Sequence, residues 1–275
     1  MPVKSVSLFL AVLLLLFAVT LPAQAETNVF GGTGLFLTHT SGTGDPGEMR
    51  IGLFGYGYEY KLPVDPEDWN AVPVFNYTPR ENLELMVSAP YRTHDDGQEK
   101  TDGFADPYLG LKYRFHPMIS ALVYAELGVG SDDVGPGSGT TDLGVMAVVS
   151  PTFGPVRLDL NAGYQFSDVS DGNESDLFLW GVGVSMPVME KARIFGEWTG
   201  YINTEGNATS PSGWTAGVIF DVTDRLSLTA GGGGGFVAMG PTSPDWRAFG
   251  GLTYAFGKKA KNRIPTKIRA ANAIP

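Results

Sequence analysis

The chain has 275 residues, of which 17% are charged, 37 are glycine and none is cysteine, and its formal net charge is −10. A soluble domain of this size usually carries about 25% charged residues. Low charge with abundant glycine and aromatic residues is instead typical of a membrane β-barrel. The missing cysteines exclude a fold held by disulfides, and the acidic balance argues against nucleic acid as a partner.

Residues 1–25 have the three parts of a secretory signal peptide. Lys4 supplies positive charge, Leu8 to Leu21 are apolar, and Ala23 to Ala25 offer a small-residue cleavage site. The apolar run is shorter than the roughly 20 residues that a spanning helix needs, so we expect cleavage and export. Residues 26–47 are then predicted to form an N-terminal periplasmic segment that partly occludes the mouth of the following domain.

Residues 48–257 are predicted to form one closed antiparallel up-and-down transmembrane β-barrel. Apolar and polar residues alternate with period two, most clearly in Ala105–His116 and Val156–Ser167. Only a closed sheet pairs every backbone group in lipid, which is why alternation on this scale indicates a barrel. The twelve strands are placed near residues 48–61, 69–78, 82–92, 104–115, 118–130, 140–153, 155–167, 174–187, 190–203, 212–222, 225–237 and 245–257.

The connections between these strands alternate in length, as in outer-membrane barrels with short periplasmic turns and longer outer loops. Longer polar loops are predicted at residues 62–68, 93–103, 131–139, 168–175, 204–212 and 238–244. Several of them are rich in carboxylates, which we interpret as solvated because no calcium-loop spacing is present and no metal site is expected. Loose bridging to lipopolysaccharide through divalent ions is the alternative.

The last predicted strand ends in Gly251, Tyr254 and Phe256. This glycine-x-x-aromatic-x-aromatic pattern resembles the C-terminal assembly signal of outer-membrane barrels, which implies recognition by the outer-membrane assembly machinery. Residues 258–275 follow as a basic tail that contains six of the 19 basic residues. A like-charge run of this kind is usually disordered, so we expect it in the periplasm. Contact with anionic headgroups or the cell wall is the alternative.

Two segments carry a resemblance to known families. Gly103 to Phe115 resembles a strand of the barrels assigned to the MetA-pathway phenol-degradation family, and Gly31 to Gly52 is similar to the opening of several large barrels, some with an OmpA-type domain. The first resemblance implies an outer-membrane channel for hydrophobic compounds.

The parity of a residue, meaning its odd or even position relative to the lipid-facing apolar residues of its strand, predicts a set of charged side chains that face the lumen. Charges of both signs either line a wet pore or pair with one another and plug it. Twelve strands lie between the filled interior of eight and the open channel of 16 to 18, so a narrow or closed lumen is expected. The set consists of Glu84, Arg92, Asp106, Lys112, Arg114, Glu126, Asp142, Arg157, Asp159, Arg193, Glu197, Asp221, Arg225 and Arg247.

No catalytic residue and no cofactor are predicted. His94, at the outer rim near Asp95 and Asp96, is the one histidine placed where outer-membrane enzymes carry their chemistry, but no serine motif lies beside it. The run Gly231 to Gly235 is not followed by the residues of a phosphate loop.

The sequence therefore predicts an exported outer-membrane protein in contact with outer-membrane lipids and lipopolysaccharide. The leading hypothesis is a passive channel or uptake protein for small hydrophobic or aromatic solutes. The alternatives are a structural envelope barrel with no open pore and a lipid-modifying outer-membrane enzyme.

Overall fold

The computed structural model describes residues 26–60, 67–95, 97, 99–130, 139–167, 176–204, 210–236 and 244–257. The predicted signal peptide at residues 1–25 and the basic tail at 258–275 lie outside the described residues. Within the described ranges, the regular secondary structure consists of β-strands. The same ranges contain no helix with the length and apolar character needed to cross a membrane.

Fifteen strands make up a single antiparallel sheet. In chain order they are β1 (Glu48–Tyr60), β2 (Glu67–Arg80), β3 (Leu83–Ser88), β4 (Tyr91–Asp95), β5 (Lys100–Phe104), β6 (Tyr108–His116), β7 (Ile119–Glu126), β8 (Asp142–Val149), β9 (Thr152–Phe153), β10 (Val156–Phe166), β11 (Leu177–Met189), β12 (Ala192–Asn203), β13 (Ser212–Asp221), β14 (Leu226–Gly235) and β15 (Pro244–Phe256).

The sheet closes because β1 pairs with both β2 and β15. The register joins Met49 to Phe256 on one side and to Tyr77 on the other. The ring contains twelve strand positions, so the predicted closed twelve-stranded barrel is confirmed. Closure removes every sheet edge along the ring, which satisfies the backbone where lipid offers no hydrogen-bonding partner.

Three predicted strands are each divided in two near a proline. Ala89 and Pro90 separate β3 from β4, Pro107 lies in the break between β5 and β6, and Ser150 and Pro151 separate β8 from β9. Proline has no N–H to donate, so it interrupts a ladder inside a sheet. The predicted loop 93–103 is correspondingly shorter, because β4 and β5 form a hairpin whose first strand pairs with β2.

The two faces of the wall are sorted as the alternation predicts. Leu109, Leu160 and Val218 point outward and are exposed on the lipid-facing side. Lys112 and Asp159 point inward and are fully buried. An apolar outer surface around an interior that holds buried charged side chains is the reverse of a soluble barrel and fits a membrane environment.

This sorting predicts a position-dependent cost for introducing a charge on the outer face. Leu160→Arg, near the middle of β10, should destabilise the folded protein in lipid vesicles by about 2–4 kcal/mol, whereas Phe153→Arg beside a short turn should cost about 0–1 kcal/mol. Urea titrations of the two variants in the same vesicles measure the difference. Equal costs at both positions would contradict the lipid-facing assignment of Leu160.

Candidate functional site

Residues 26–44, here called the plug, lie inside the barrel. Leu35 and Phe36 are fully buried, and the plug is hydrogen-bonded to inward-facing side chains from strands around the ring, including Asn76, Asn161 and Glu197. The position expected from the sequence for residues 26–47 is instead a periplasmic segment at the mouth. Burial of Val29, Leu35 and Phe36 favours the lumen over water, and polar partners there replace the water that the backbone groups lose.

Both ends of the plug lie at the short-turn end of the barrel. Glu26 is bonded to Arg193 at 3.3 Å, close to the turn before β12. On the way out, the Ser41 hydroxyl donates to the carbonyl of Pro117, and the Thr43 hydroxyl donates to the carbonyl of Glu81. The plug is therefore a loop that rises into the lumen and returns, and it fills the short-turn half.

Glu197 on β12 holds the middle of the plug. Its carboxylate accepts hydrogen bonds from the N–H groups of Leu37 at 3.0 Å and Thr38 at 2.7 Å, and from the Thr38 hydroxyl at 2.8 Å. Thr215 on β13 donates to the same carboxylate at 2.9 Å. Hydrogen bonds to an ionised acceptor are about twice as strong as neutral ones, so one side chain takes the place of a missing strand partner.

A buried ion pair holds a second part of the plug. Lys112 Nζ lies 2.9 Å from Glu84 Oε1, and neither side chain has any exposure. The Thr33 N–H donates to Glu84 at 2.8 Å, and Lys112 donates to the carbonyls of Thr33 and Thr40. These additional bonds offset the desolvation cost that a buried ion pair carries.

His39 is fixed as a neutral base at the top of the plug. Asn161 accepts a hydrogen bond from the backbone N–H of His39 at 2.7 Å and donates to its carbonyl at 2.8 Å. Asn28 Nδ2 lies 3.2 Å from His39 Nδ1, which suits an unprotonated Nδ1. Burial lowers the pKa of His39 from its ordinary 6.5 to about 3; the charge of Lys112 acts in the same direction and that of Glu84 opposes it.

Apolar packing and close backbone contacts also hold the plug against the barrel wall. The Phe36 ring stacks on Phe249 with centroids 3.9 Å apart and also packs against Phe54. Gly31 has φ +81°, and a Cβ there would lie 2.5 Å from the carbonyl oxygen of Val87. Glycine is required at this point because both the backbone conformation and the approach to β3 exclude a side chain.

Above the plug, on the side of the long loops, the lumen contains a cavity of about 240 Å³. Most of its walls are aromatic or apolar, and Glu126 is one charged side chain among them. The lining residues are Phe30, Leu37, Thr38, His39, Tyr108, Tyr124, Glu126, Met146, Asn161, Gln165, Leu179, Trp180, Gly181, Thr199, Gly200 and Tyr201.

The charged residues predicted from parity are distributed between these features. Glu84, Lys112, Arg193 and Glu197 contact the plug, and Glu126 lines the cavity. The others make contacts within the wall: Arg92 with Asn70, Asp106 with the N–H of Gly130, Arg114 with the carbonyl of Glu81, Asp142 with Gln165, Arg157 with Asp159, Asp221 with Ser227, and Arg247 over the Tyr58 ring.

Arg225 does not lie on the inner wall as parity suggested. It precedes β14 in a short turn and is exposed, because the strand starts one residue later than predicted. His94 on β4 is bonded through Nδ1 to Asp68 at 2.6 Å and not to its sequence neighbour Asp95, while Asp96 lies outside the described residues. In the assembly pattern, Gly251 lies against the Phe54 ring, while Tyr254 and Phe256 pack edge-to-face at 4.7 Å.

The predicted set of charged lumen residues does not contain the uncharged partners of the plug. Asn76 and Asn161 point inward and bind plug backbone groups, and both are buried. The available signal was their inward parity, since a buried amide in a strand needs a partner for its donor and acceptor. The aromatic cavity walls had no comparable signal, because aromatic residues are common in strands for other reasons.

The geometry of Glu197 predicts how firmly the plug is docked. Glu197→Gln should increase amide exchange at Leu37 and Thr38 roughly ten- to hundredfold, since bonds to a charged acceptor contribute about 1.5–3 kcal/mol. Exchange mass spectrometry of peptides covering residues 33–41 measures the effect. Glu81→Gln, at an exposed short turn, is the matched control; equal exchange in both variants would show that Glu197 does not hold the plug.

The buried imidazole of His39 predicts a pH dependence of docking. A released plug binds a proton at His39 below pH 6.5, whereas the docked plug does not until about pH 3. Docking should therefore weaken as the pH falls from 6.5 towards 3, and His39 should contribute no pH dependence above that window. Nitrogen-15 NMR of a variant in which His94 and His116 are glutamine should show a neutral His39 ring at pH 5; a ring that titrates near 6.5 would contradict its burial.

Comparison with known proteins agrees with this architecture. No curated protein matches the sequence. A solved outer-membrane channel from Pseudomonas putida F1 is 12% identical, with a TM-score of 0.65 over 78% of this chain and 98% of that one. The translocator domain of the autotransporter NalP from Neisseria meningitidis is 13% identical, with a TM-score of 0.54 over 78% of this chain and 90% of that one.

At such low identity these two likenesses show the fold alone, and they include proteins of different types. The sequence itself is more informative, because the family model described as Gram-negative porin matches residues 19–260. A match over most of the chain, together with the closed barrel and its lipid-facing surface, shows that this protein belongs to the Gram-negative porin family and is an outer-membrane β-barrel.

Proposed function

We propose that the protein is a passive uptake channel for small solutes with an apolar or aromatic body. The observation that carries this proposal is the cavity of about 240 Å³ between the plug and the long-loop end. Ligand sites are typically concave and mostly apolar, with a few polar groups that orient the ligand. The cavity has this character, since Phe30, Tyr108 and Trp180 share its lining with Glu126 and Gln165.

The size of the cavity limits the solute. A cavity of about 150 Å³ in another protein holds benzene, and one water occupies about 30 Å³ of liquid. A volume of about 240 Å³ therefore suits a single aromatic ring with a short substituent. Sugars larger than a monosaccharide and peptides do not fit it without a change in the walls.

The plug makes the passage stepwise. A solute that enters from the long-loop side meets Leu37, Thr38 and His39 at the floor of the cavity. These residues are held by Glu197 and Asn161 through hydrogen bonds, so the floor can be released without breaking the barrel ladder. Local openings of this kind occur in proteins at a lower cost than global unfolding.

A structural barrel with no open pore is the second candidate. The plug favours it, because residues 26–44 fill the short-turn half and are tied to strands on several sides of the ring. In that reading the cavity is only the space left above the plug.

Uptake into asymmetric vesicles with lipopolysaccharide in the outer leaflet separates the two candidates. Wild-type protein should speed the entry of radiolabelled benzyl alcohol over empty vesicles, and Met146→Trp, which fills the cavity, should reduce that gain about tenfold. Val145→Trp is the matched control, because the neighbouring side chain faces lipid. Entry no faster than in empty vesicles would reject the channel.

Planar bilayers complete this test. Deletion of residues 27–42 should give stepwise conductance and so prove that the barrel is inserted. A conducting deletion variant together with wild-type protein that neither conducts nor speeds uptake supports the structural barrel.

A further inference from the structure

The imidazole of His39 is a polar group at the floor of the cavity. The residue is 2% exposed, lines the cavity, and stacks on the neighbouring ring of Phe30 with centroids 5.7 Å apart. Because water cannot surround a ring that is buried to this degree, each ring nitrogen needs a partner within the lumen. The position of the proton on the ring therefore determines what the imidazole can bind.

Three hydrogen bonds fix the position of that proton. Asn28 Oδ1 accepts from the N–H groups of Phe30 at 3.1 Å and Gly32 at 2.9 Å, so the other end of the amide, Nδ2, is a donor. Nδ2 lies 3.2 Å from Nδ1 of His39, which therefore accepts the bond and carries no proton. Since burial lowers the pKa of His39 to about 3, the ring is neutral at pH 7 and its single proton is on Nε2.

The Nε2–H group lies away from the edge of the ring that packs on the plug. A Cβ at Gly32 would lie 2.7 Å from Nδ1 and 2.8 Å from Cε1, so this edge faces the plug backbone. Among the described residues, Nε2 of His39 has no hydrogen-bond partner, and the ring borders the cavity. A buried N–H group without an acceptor costs free energy, which a bound acceptor recovers.

Several other polar side chains of the lining already use their donors within the protein. The Thr38 hydroxyl donates to Glu197, and the Tyr124 hydroxyl donates to Gln165. Gln165 donates in turn to Asp142 at 2.7 Å. Since these groups have acceptors in the barrel wall, the imidazole N–H is a better donor for a solute than they are.

We propose that His39 determines the solute class of the cavity, because its Nε2–H group donates a hydrogen bond to an oxygen acceptor on a neutral aromatic solute. Carbonyl and hydroxyl derivatives of a single ring satisfy this donor, whereas a hydrocarbon of the same shape leaves it unpaired. This inference rests on the proposed function, of which it names the solute class and a specificity-determining residue.

The test compares benzaldehyde with styrene, which has nearly the same shape but no oxygen acceptor. His39→Asn keeps an acceptor for Asn28 near the position of Nδ1 and removes the donor at Nε2. In detergent-solubilised protein, calorimetry should show that this variant lowers the ratio of benzaldehyde affinity to styrene affinity about three- to tenfold relative to wild type. The ratio cancels the different solubilities of the two probes in water and detergent. His94→Asn, at the outer rim, is the matched control and should keep the wild-type ratio.

A second variant separates recognition from a merely structural role of the ring. His39→Gln places an amide N–H near the position of Nε2 and should keep the affinity ratio within about twofold of wild type. An unchanged ratio in His39→Asn would overturn the proposal. So would an equal loss in His39→Asn and His39→Gln, because the donor at Nε2 would then not be what the solute binds.

Nitrogen-15 NMR supplies a readout that needs no substitution at His39. In the variant with glutamine at positions 94 and 116, Nε2 should be the protonated ring nitrogen, and benzaldehyde should shift the Nε2–H proton downfield whereas styrene should not. A proton on Nδ1, or equal shifts with both probes, would overturn the role of His39. These results leave the uptake of benzyl alcohol into vesicles untouched, so failure of the solute class is distinct from failure of the channel.

Discussion

The need to pair every backbone hydrogen-bonding group away from water governs this structure. Along the wall, the requirement is met by neighbouring strands, and β1 meets both β2 and β15 so that the ring has no edge. Inside the ring, the plug has no strand beside it for most of its length. The plug pairs part of its backbone with itself, as where the Val29 N–H donates to the Phe36 carbonyl, and side chains such as Glu197 and Asn161 supply further partners. The requirement that closes the barrel therefore also governs how its lumen is filled.

This requirement gives the buried charges a different role from either of the two expected. Glu84, Lys112 and Glu197 neither line an open pore nor simply neutralise one another, because each of them binds backbone or hydroxyl groups of the plug. Their burial is tolerable because the remaining donors and acceptors of each group are used. Apolar side chains such as Phe54 and Phe249 also pack against the plug, and further apolar and aromatic residues line the space that remains above it.

The wall of the barrel could be predicted from the sequence because lipid imposes a simple rule on each strand. In β10, Leu160 faces outward and Asp159 and Asn161 face inward, as their parity requires. The breaks at Pro90 and Pro107 are also understandable from the sequence, since proline cannot complete a ladder, although alternation alone ran through them. The place of the plug could not be predicted, because residues 26–44 have no periodic pattern and their partners, from Asn76 to Glu197, are distant in the chain.

The candidate site was predicted only in part for the same reason. Parity identifies Glu126 as an inward-facing side chain, but it cannot show that Tyr108, Trp180 and a plug residue such as Phe30 share one space with it. That arrangement depends on the height of each residue along the barrel axis and on how far the plug rises. Both are set by packing such as the stacking of Phe36 on Phe249, which no local pattern in the sequence encodes.

The return of the plug to the end where it entered has a topological consequence. Glu26 and Thr43 both lie beside short turns, so the segment enters and leaves the lumen at the same end of the barrel and does not run through it from one end to the other. Insertion of the plug into the barrel does not require a chain terminus to pass along the barrel axis, and release of the plug does not create a knot. The topology therefore allows barrel closure and plug insertion to occur in either order. The barrel can close first, and the plug can then insert from the periplasmic end.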